Sequence, residues 1–239
     1  MPDPRATDGD RRAPVMLAFD TAASACSVAV GRDDAVLAHE RREMRHGHAE
    51  ALLPMIDRVM TAAGLTPAQI DSVAVSVGPG GFTGIRAGLA AGQGLALASG
   101  TRLIGVTSFA AVAARLPQSR EPILVALDSR RADLYVQLFS GDGVVLDEPA
   151  AVPLVELTAF VAAAIGSATL RLAGDAADNA AAALSDRPSV TIIAGSVPDA
   201  LGVLAAAADE KFAGPARPLY LRPPDVSFPK PRANTGGRS

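Results

Sequence analysis

The chain has 239 residues, 49% hydrophobic, 4% aromatic and 20% charged, with no Trp, a single Cys and a formal net charge of -3. That apolar content excludes global disorder, and the length allows one large domain or two small ones. A pI near 5.6 lacks the bulk basic character of a protein that grips nucleic acid alone, and one cysteine rules out an internal disulfide.

Residues 1–13 are polar, without the apolar stretch of a secretory signal, and read as a disordered extension. Val15–Phe19, Cys26–Val30 and Ala35–Arg41 are apolar runs separated by turn residues, so the chain opens with a β-meander. Cys26 lies inside one of these runs and reads as a buried, inert thiol. Ala49–Ala63 carries apolar residues at helical spacing, with Pro54 expected to kink it and Gly64 to end it as a C′ residue. Val73–Val77 is a buried strand, Thr83–Ser99 a helix stopped by Gly100, Leu103–Val106 a strand and Ser108–Arg115 a short helix. The second half starts again, with strands at Ile123–Leu127, Asp133–Phe139 and Val144–Leu146 and a helix at Leu154–Ile165. Thr169–Ala173, Ala176–Leu184, Val190–Ile193 and Pro198–Lys211 then alternate strand and helix. The two halves show no sequence repeat.

A three-strand meander followed by αβαβ gives an α/β fold of mixed sheets with flanking helices. The order matches the ribonuclease-H-like unit of actin-like (ASKHA) proteins, in which two lobes clamp ATP. The expected division is a first lobe over 14–108, a second over 109–222 and a flexible tail over 223–239. The longest uncharged helical stretch, Ala87 to Thr101, falls short of the roughly 20 residues that span a membrane, so the expectation is a soluble cytoplasmic protein.

The segment Ser76–Gly88, SVGPGGFTGIRAG, holds five glycines between a strand and a helix. It fails both phosphate-loop patterns: Ile85 and Arg86 follow Gly84 where a P-loop needs Lys, and Thr83 stands where a dinucleotide loop needs its third glycine. Phosphate binding then rests only on backbone N–H groups at a helix start. Gly78-Pro79-Gly80 makes a tight turn. Beyond it, Gly84, Gly88 and Gly92 form one row nearly free of side chains, and Ala90, Gly94 and Ala98 a neighbouring one. Each helical glycine costs about 1 kcal/mol relative to alanine, which suggests a compensating close contact, within the chain or with a partner. Leu52, Leu53, Met55, Ile56, Val59 and Met60 cover an arc of roughly 160°, wider than one stripe on the chain's own sheet needs. The excess suits a partner subunit or a well-buried helix. His46 and His48 lack a nearby third metal ligand. Asp20 and Asp128 each end the first strand of a half, where actin-like proteins hold hydrated magnesium and where Asp is also a common turn residue.

Six stretches together resemble the bacterial TsaB (YeaZ) family: LAFDTAASACSVAV (17–30), HAEALLPMID (48–57), VGPGGFTGIRAGLAAGQGLA (77–96), IGVTSF (104–109), ALDSRRADLYV (126–136) and PLYLRPPDV (218–226). The family motif falls on Asp20, Gly78, Pro79, Gly80, Phe82, Thr83, Gly84 and Arg86; Gly81 stands where the family usually has Ser. The resemblance implies a two-lobed actin-like fold and a non-catalytic but required role in making N6-threonylcarbamoyladenosine beside the tRNA anticodon. It implies no cofactor or metal of its own. The catalytic sibling, TsaD, carries a His-x-x-x-His metal pair where Ser108 and Val112 stand here. The implied partners are TsaD, the ATPase TsaE on the TsaB–TsaD pair, and a second copy in isolation. tRNA is met only within the complex, and TsaC makes the threonylcarbamoyl donor separately. The implied interface lies on the two flagged helices, at Leu52, Leu53, Ile56, Val59, Met60, Gly84, Ile85, Gly88, Leu89 and Gly92. Two rival readings are an actin-like ATPase or kinase, motivated by Asp20 and Asp128, and a superfamily metallopeptidase, which the missing histidine pair argues against.

Overall fold

The computed structural model describes residues 13–33 and 35–222, so the expected N-terminal extension up to residue 12 and the tail beyond residue 222 lie outside the described residues. Strands β1 (Val15–Asp20), β2 (Ala25–Arg32) and β3 (Ala35–Glu43) form the antiparallel meander. Strands β4 (Ser72–Ser76) and β5 (Arg102–Val106) add in parallel, giving the order β3-β2-β1-β4-β5.

Period-two alternation decides what each face meets. Leu17 and Phe19 of β1, Val28 and Val30 of β2, and Val73 and Val75 of β4 share one core with α1 (His48–Ala62) and α2 (Phe82–Ser99). Ala18, Ala29 and Ala74 point the other way, against α3 (Ser108–Ala113) and α6 (Ala200–Ala208). These small residues bring α6 close to the sheet. A Cβ on Gly31 would lie 2.7 Å from Leu204 Cδ2.

The second half repeats the first in topology. A meander of β6 (Ile123–Asp128), β7 (Asp133–Phe139) and β8 (Ala150–Pro153) leads into α4 (Leu157–Ile165), β9 (Leu170–Ala173), α5 (Ala177–Ala183) and β10 (Val190–Ile192), in the order β10-β9-β6-β7-β8. Leu124 and Ala126 face a core with α4 and α5, while Ile123, Val125 and Leu127 face α3. The layers therefore run α1/α2, first sheet, α3/α6, second sheet, α4/α5. By sequence α6 follows the second sheet; by packing it covers the first. Asp199 caps its N-terminus, accepting from Gly202 N at 2.8 Å, and Ser27 Oγ of β2 accepts from Ala200 N at 2.8 Å.

Several expected details come out differently. Val144–Leu146 is not a strand, despite its β-branched residues. It makes a single bridge to Phe139, and all three residues are exposed with no face to bury. The third strand of the second meander is β8, further on, ending on Pro153 at the sheet edge, where a missing N–H is tolerated. Helix α1 continues past Pro54, which sits on its exposed side and has no N–H to donate to Glu50 O. Gly64 ends it as expected, at φ 65°, in a Schellman motif: Leu65 N donates to Met60 O and Gly64 N to Thr61 O, both at 3.0 Å. Cys26 is fully buried, and burial pushes its thiol up to about 11, consistent with an inert side chain.

Candidate functional site

The glycine segment packs onto the turn after β1. Gly81 N donates to Ala22 O at 2.8 Å, and the Thr21 hydroxyl donates to Gly84 O at 2.7 Å. A Cβ on Gly84 would lie 1.9 Å from Thr21 O, and one on Gly88 2.4 Å from Thr21 Oγ1. One on Gly92 would meet Leu103 Cδ1 at 3.0 Å. The contact that compensates this row is therefore internal. The second row differs: Ala90, Gly94 and Ala98 are exposed, and a Cβ on Gly94 would meet nothing within 4 Å.

The flagged side chains divide in the same way. Leu52, Ile56, Val59, Met60, Ile85 and Leu89 are buried in the core of the first lobe. Leu53 is 56% exposed on α1, and Leu97, which the sequence did not single out, is 86% exposed on α2. The wide apolar arc of α1 is thus spent largely on the chain's own core.

Gly78 and Pro79 are buried and Gly80 partly so. Phe82 stacks against Tyr220 at 5.0 Å, Arg86 lies 3.8 Å over the Phe82 ring, and Arg86 Nε donates to Tyr220 Oη at 3.2 Å. Leu219 N donates to Val77 O at 2.8 Å, and Arg222 pairs with Asp133 of β7. The proline-rich segment up to Arg222, which has no periodicity, is thereby pinned across both halves. Its only sequence signal is the match of PLYLRPPDV.

Asp20 is fully buried. Its Oδ1 accepts from Ala22 N at 3.0 Å, its Oδ2 makes no hydrogen bond, and burial pushes its carboxyl above the ordinary range. The Ser76 side chain and the amides of Ala22 and Ala23 oppose that rise. Asp128 is exposed; it accepts from Arg130 N at 2.7 Å, while its own N–H donates to Asp175 Oδ1 at 2.9 Å. Burial raises Asp175. Asp128 and Asp175 line a crevice of about 30 Å³, room for one water and far below the roughly 300 Å³ of a small-molecule site. The two strand-end carboxylates are not brought to a common cavity. Ser108 and Val112 are both buried on α3, and neither offers a metal ligand.

A larger cavity, about 410 Å³, opens between the first turns of α1 and α2, where Arg45, His48, Thr83 and Arg130 meet. Neither helix has a side-chain cap; the N-cap residues are Gly47 and Gly81.

Two sheets of identical 3-2-1-4-5 order, with helices on both faces and α3 between them, define the two-lobed actin-like class. A family model described as "TsaD: tRNA N6-adenosine threonylcarbamoyltransferase" matches residues 39–167. The chain is 38% identical over 122 residues to the tRNA threonylcarbamoyladenosine biosynthesis protein TsaB of Escherichia coli K12, a match covering 50% of this chain and 52% of that protein. It is 34% identical over 213 residues to an uncharacterized protein of Mycobacterium tuberculosis H37Rv, covering 88% and 93%. YeaZ from Pseudomonas aeruginosa superposes with a TM-score of 0.71 at 27% identity, over 87% of this chain and all of that one. The chain belongs to the TsaB/YeaZ family.

Proposed function

We propose that this chain is a non-catalytic, required subunit of the tRNA N6-threonylcarbamoyladenosine complex that docks onto the catalytic subunit TsaD. Family membership and the names of the relatives support the pathway. In this reading TsaE acts on the assembled pair, tRNA is met only within the complex, and a second copy of the chain competes for the same face in isolation.

Gly94 carries the docking reading. A glycine inside an exposed helix costs about 1 kcal/mol relative to alanine, and in this chain nothing lies near enough to need the missing side chain. A partner backbone approaching the Ala90–Gly94–Ala98 row accounts for it, with Leu53 and Leu97 as apolar anchors. The proposed interface therefore moves from the buried row Gly84–Gly88–Gly92 to the outer surface of the same two helices.

The test is to mix the chain with TsaD and measure both association and tRNA modification. Gly94→Arg and Leu97→Glu should each weaken association at least about tenfold, a loss of roughly 1.4 kcal/mol, with no fall in melting temperature. Full-strength association by both variants rejects this surface; modification at the normal rate without the chain rejects the subunit role.

A further inference from the structure

We propose that residues 1–12 fold back as an N-terminal clasp into a cavity at the foot of the first sheet, on the side covered by α6. This goes beyond the docking reading and concerns the opposite face of that sheet.

The cavity makes the first half of the argument. It measures about 690 Å³ and has an apolar floor, formed by Met16 of β1 and by Leu204, Ala207 and Ala208 of α6. Its rim is charged, with Asp33, Asp71 and Arg102. Strand register fixes the order of that rim. Val15 is opposite Arg32 of β2, so Asp33 stands level with Pro14. Met16 is level with Ser72 of β4, so Asp71 stands level with Val15, and its Oδ2 accepts from Val15 N at 2.7 Å. Arg102 of β5 is opposite Ser72. Across the foot of the sheet the sequence is therefore Asp33, the chain entering β1, Asp71 and Arg102.

The incoming chain makes the second half. Pro14 lines the cavity, so residues 1–12 leave from its wall. Twelve residues reach at most roughly 40 Å, ample to turn and cover it. Period-two alternation from Met16 through Pro14 brings Arg12 to the cavity side. The charges then match the rim in order. Arg11 and Arg12 come first, beside Asp33 and Asp71, and Asp8 and Asp10 lie further along, for Arg102. Pro2, Pro4 and Ala6 suit the apolar floor, and the two prolines bring no N–H that such a floor would leave unsatisfied. Exposed ion pairs are individually weak, so the seating rests on several at once and on the apolar surface they cover. The polar composition of the segment argues against order by itself; the rim and floor supply the partner it lacks.

The experiment attaches a nitroxide to Ala6→Cys in the full chain at low salt. Cys26 is buried with its thiol pushed up to about 11, so the label goes to one site. The amides of Leu204, Ala207 and Ala208 are followed in NMR spectra. The label should lower their intensities at least about threefold more than it does once Arg11→Glu/Arg12→Glu is added. Asp33→Asn, which tolerates the left-handed turn at φ 51°, should give an intermediate value. In the chain without label, deleting residues 2–11 should speed hydrogen exchange of the same three amides at least about fivefold. Intensities that respond to neither charge variant, or exchange rates that the deletion leaves unchanged, overturn the proposal. A mixture of spin-labelled chain and separate ¹⁵N-labelled chain tests for exchange between copies. Intensity loss in the ¹⁵N-labelled chain there assigns the cavity to the segment of a second copy and overturns the fold-back equally.

Discussion

Replacing Gly84 and Gly94 by alanine, one at a time, separates the two glycine rows. The change is one methyl group in the same helix. At Gly94 the new Cβ enters open space, so only helix propensity acts, a gain of about 1 kcal/mol. At Gly84 the Cβ would stand 1.9 Å from the Thr21 carbonyl oxygen and 3.0 Å from its carbon, both backbone atoms. The start of α2 must retreat by more than an ångström to reach normal contact. That strains the packing by about 1–3 kcal/mol and breaks the Thr21–Gly84 hydrogen bond, worth about 0.5–1.5 kcal/mol. Net of the propensity gain, Gly84→Ala should lose about 1–3 kcal/mol. At roughly 2–4 °C per kcal/mol for a chain of this size, it should melt several degrees below wild type and Gly94→Ala a few degrees above. Urea unfolding followed by circular dichroism measures both. A Gly84→Ala variant as stable as Gly94→Ala would refute the internal-contact account of the first row.

Gly88→Arg should abolish cooperative melting, because its Cβ alone would meet Thr21 Oγ1 at 2.4 Å; a well-folded variant that fails only to bind TsaD contradicts the packing described. Asp199→Ala removes the cap of α6 and the Arg115 pairing and should cost about 1–2 kcal/mol in unfolding free energy. Asp199→Ser, which keeps a capping oxygen, should recover most of that loss in the same assay. Asp20→Asn tests the buried carboxyl. Burial raises the folded-state pKa of Asp20 above 3.8, so wild type is favoured by this group below about pH 3.8 and loses that contribution as pH rises through the raised value. The variant should therefore be more stable than wild type near neutrality, with the gap closing on acidification. A gap that widens toward acid pH has the wrong sign for this account.

Strands β1, β2, β6 and β7 were readable because each alternates or runs apolar over five or more residues between turn residues. Val144–Leu146 misled for the converse reason. Its β-branched composition is strong, while the actual edge strand, Ala150–Pro153, has weak propensity and is defined by pairing with β7. The glycine rows were visible as spacing, but spacing alone does not say what approaches a bare helix face. The answer is Thr21 for Gly84 and Gly88, sixty-three residues before Gly84, and Leu103 for Gly92. The apolar arc of α1 likewise did not distinguish burial in this chain from burial in a complex. The cavity between α1 and α2 was not legible in the sequence because its walls, Arg45–Glu50, Gly81–Gly84 and Arg130, come from segments far apart in the chain. The destination of α6 was illegible too: a helix apolar on all sides must be buried, but its sequence does not name the sheet that covers it.

The return of α6 to the first sheet sets the order in which the chain can mature during synthesis. Strands β1, β2 and β4 emerge early, but the face bearing Ala18, Ala29 and Ala74 waits for a helix about a hundred and thirty residues further on. Until Ala208 has left the ribosome the first half is an open-faced intermediate with exposed apolar surface, the kind of species that recruits chaperones. Neither half is then a self-sufficient module, and a break anywhere in the second would be felt in the first.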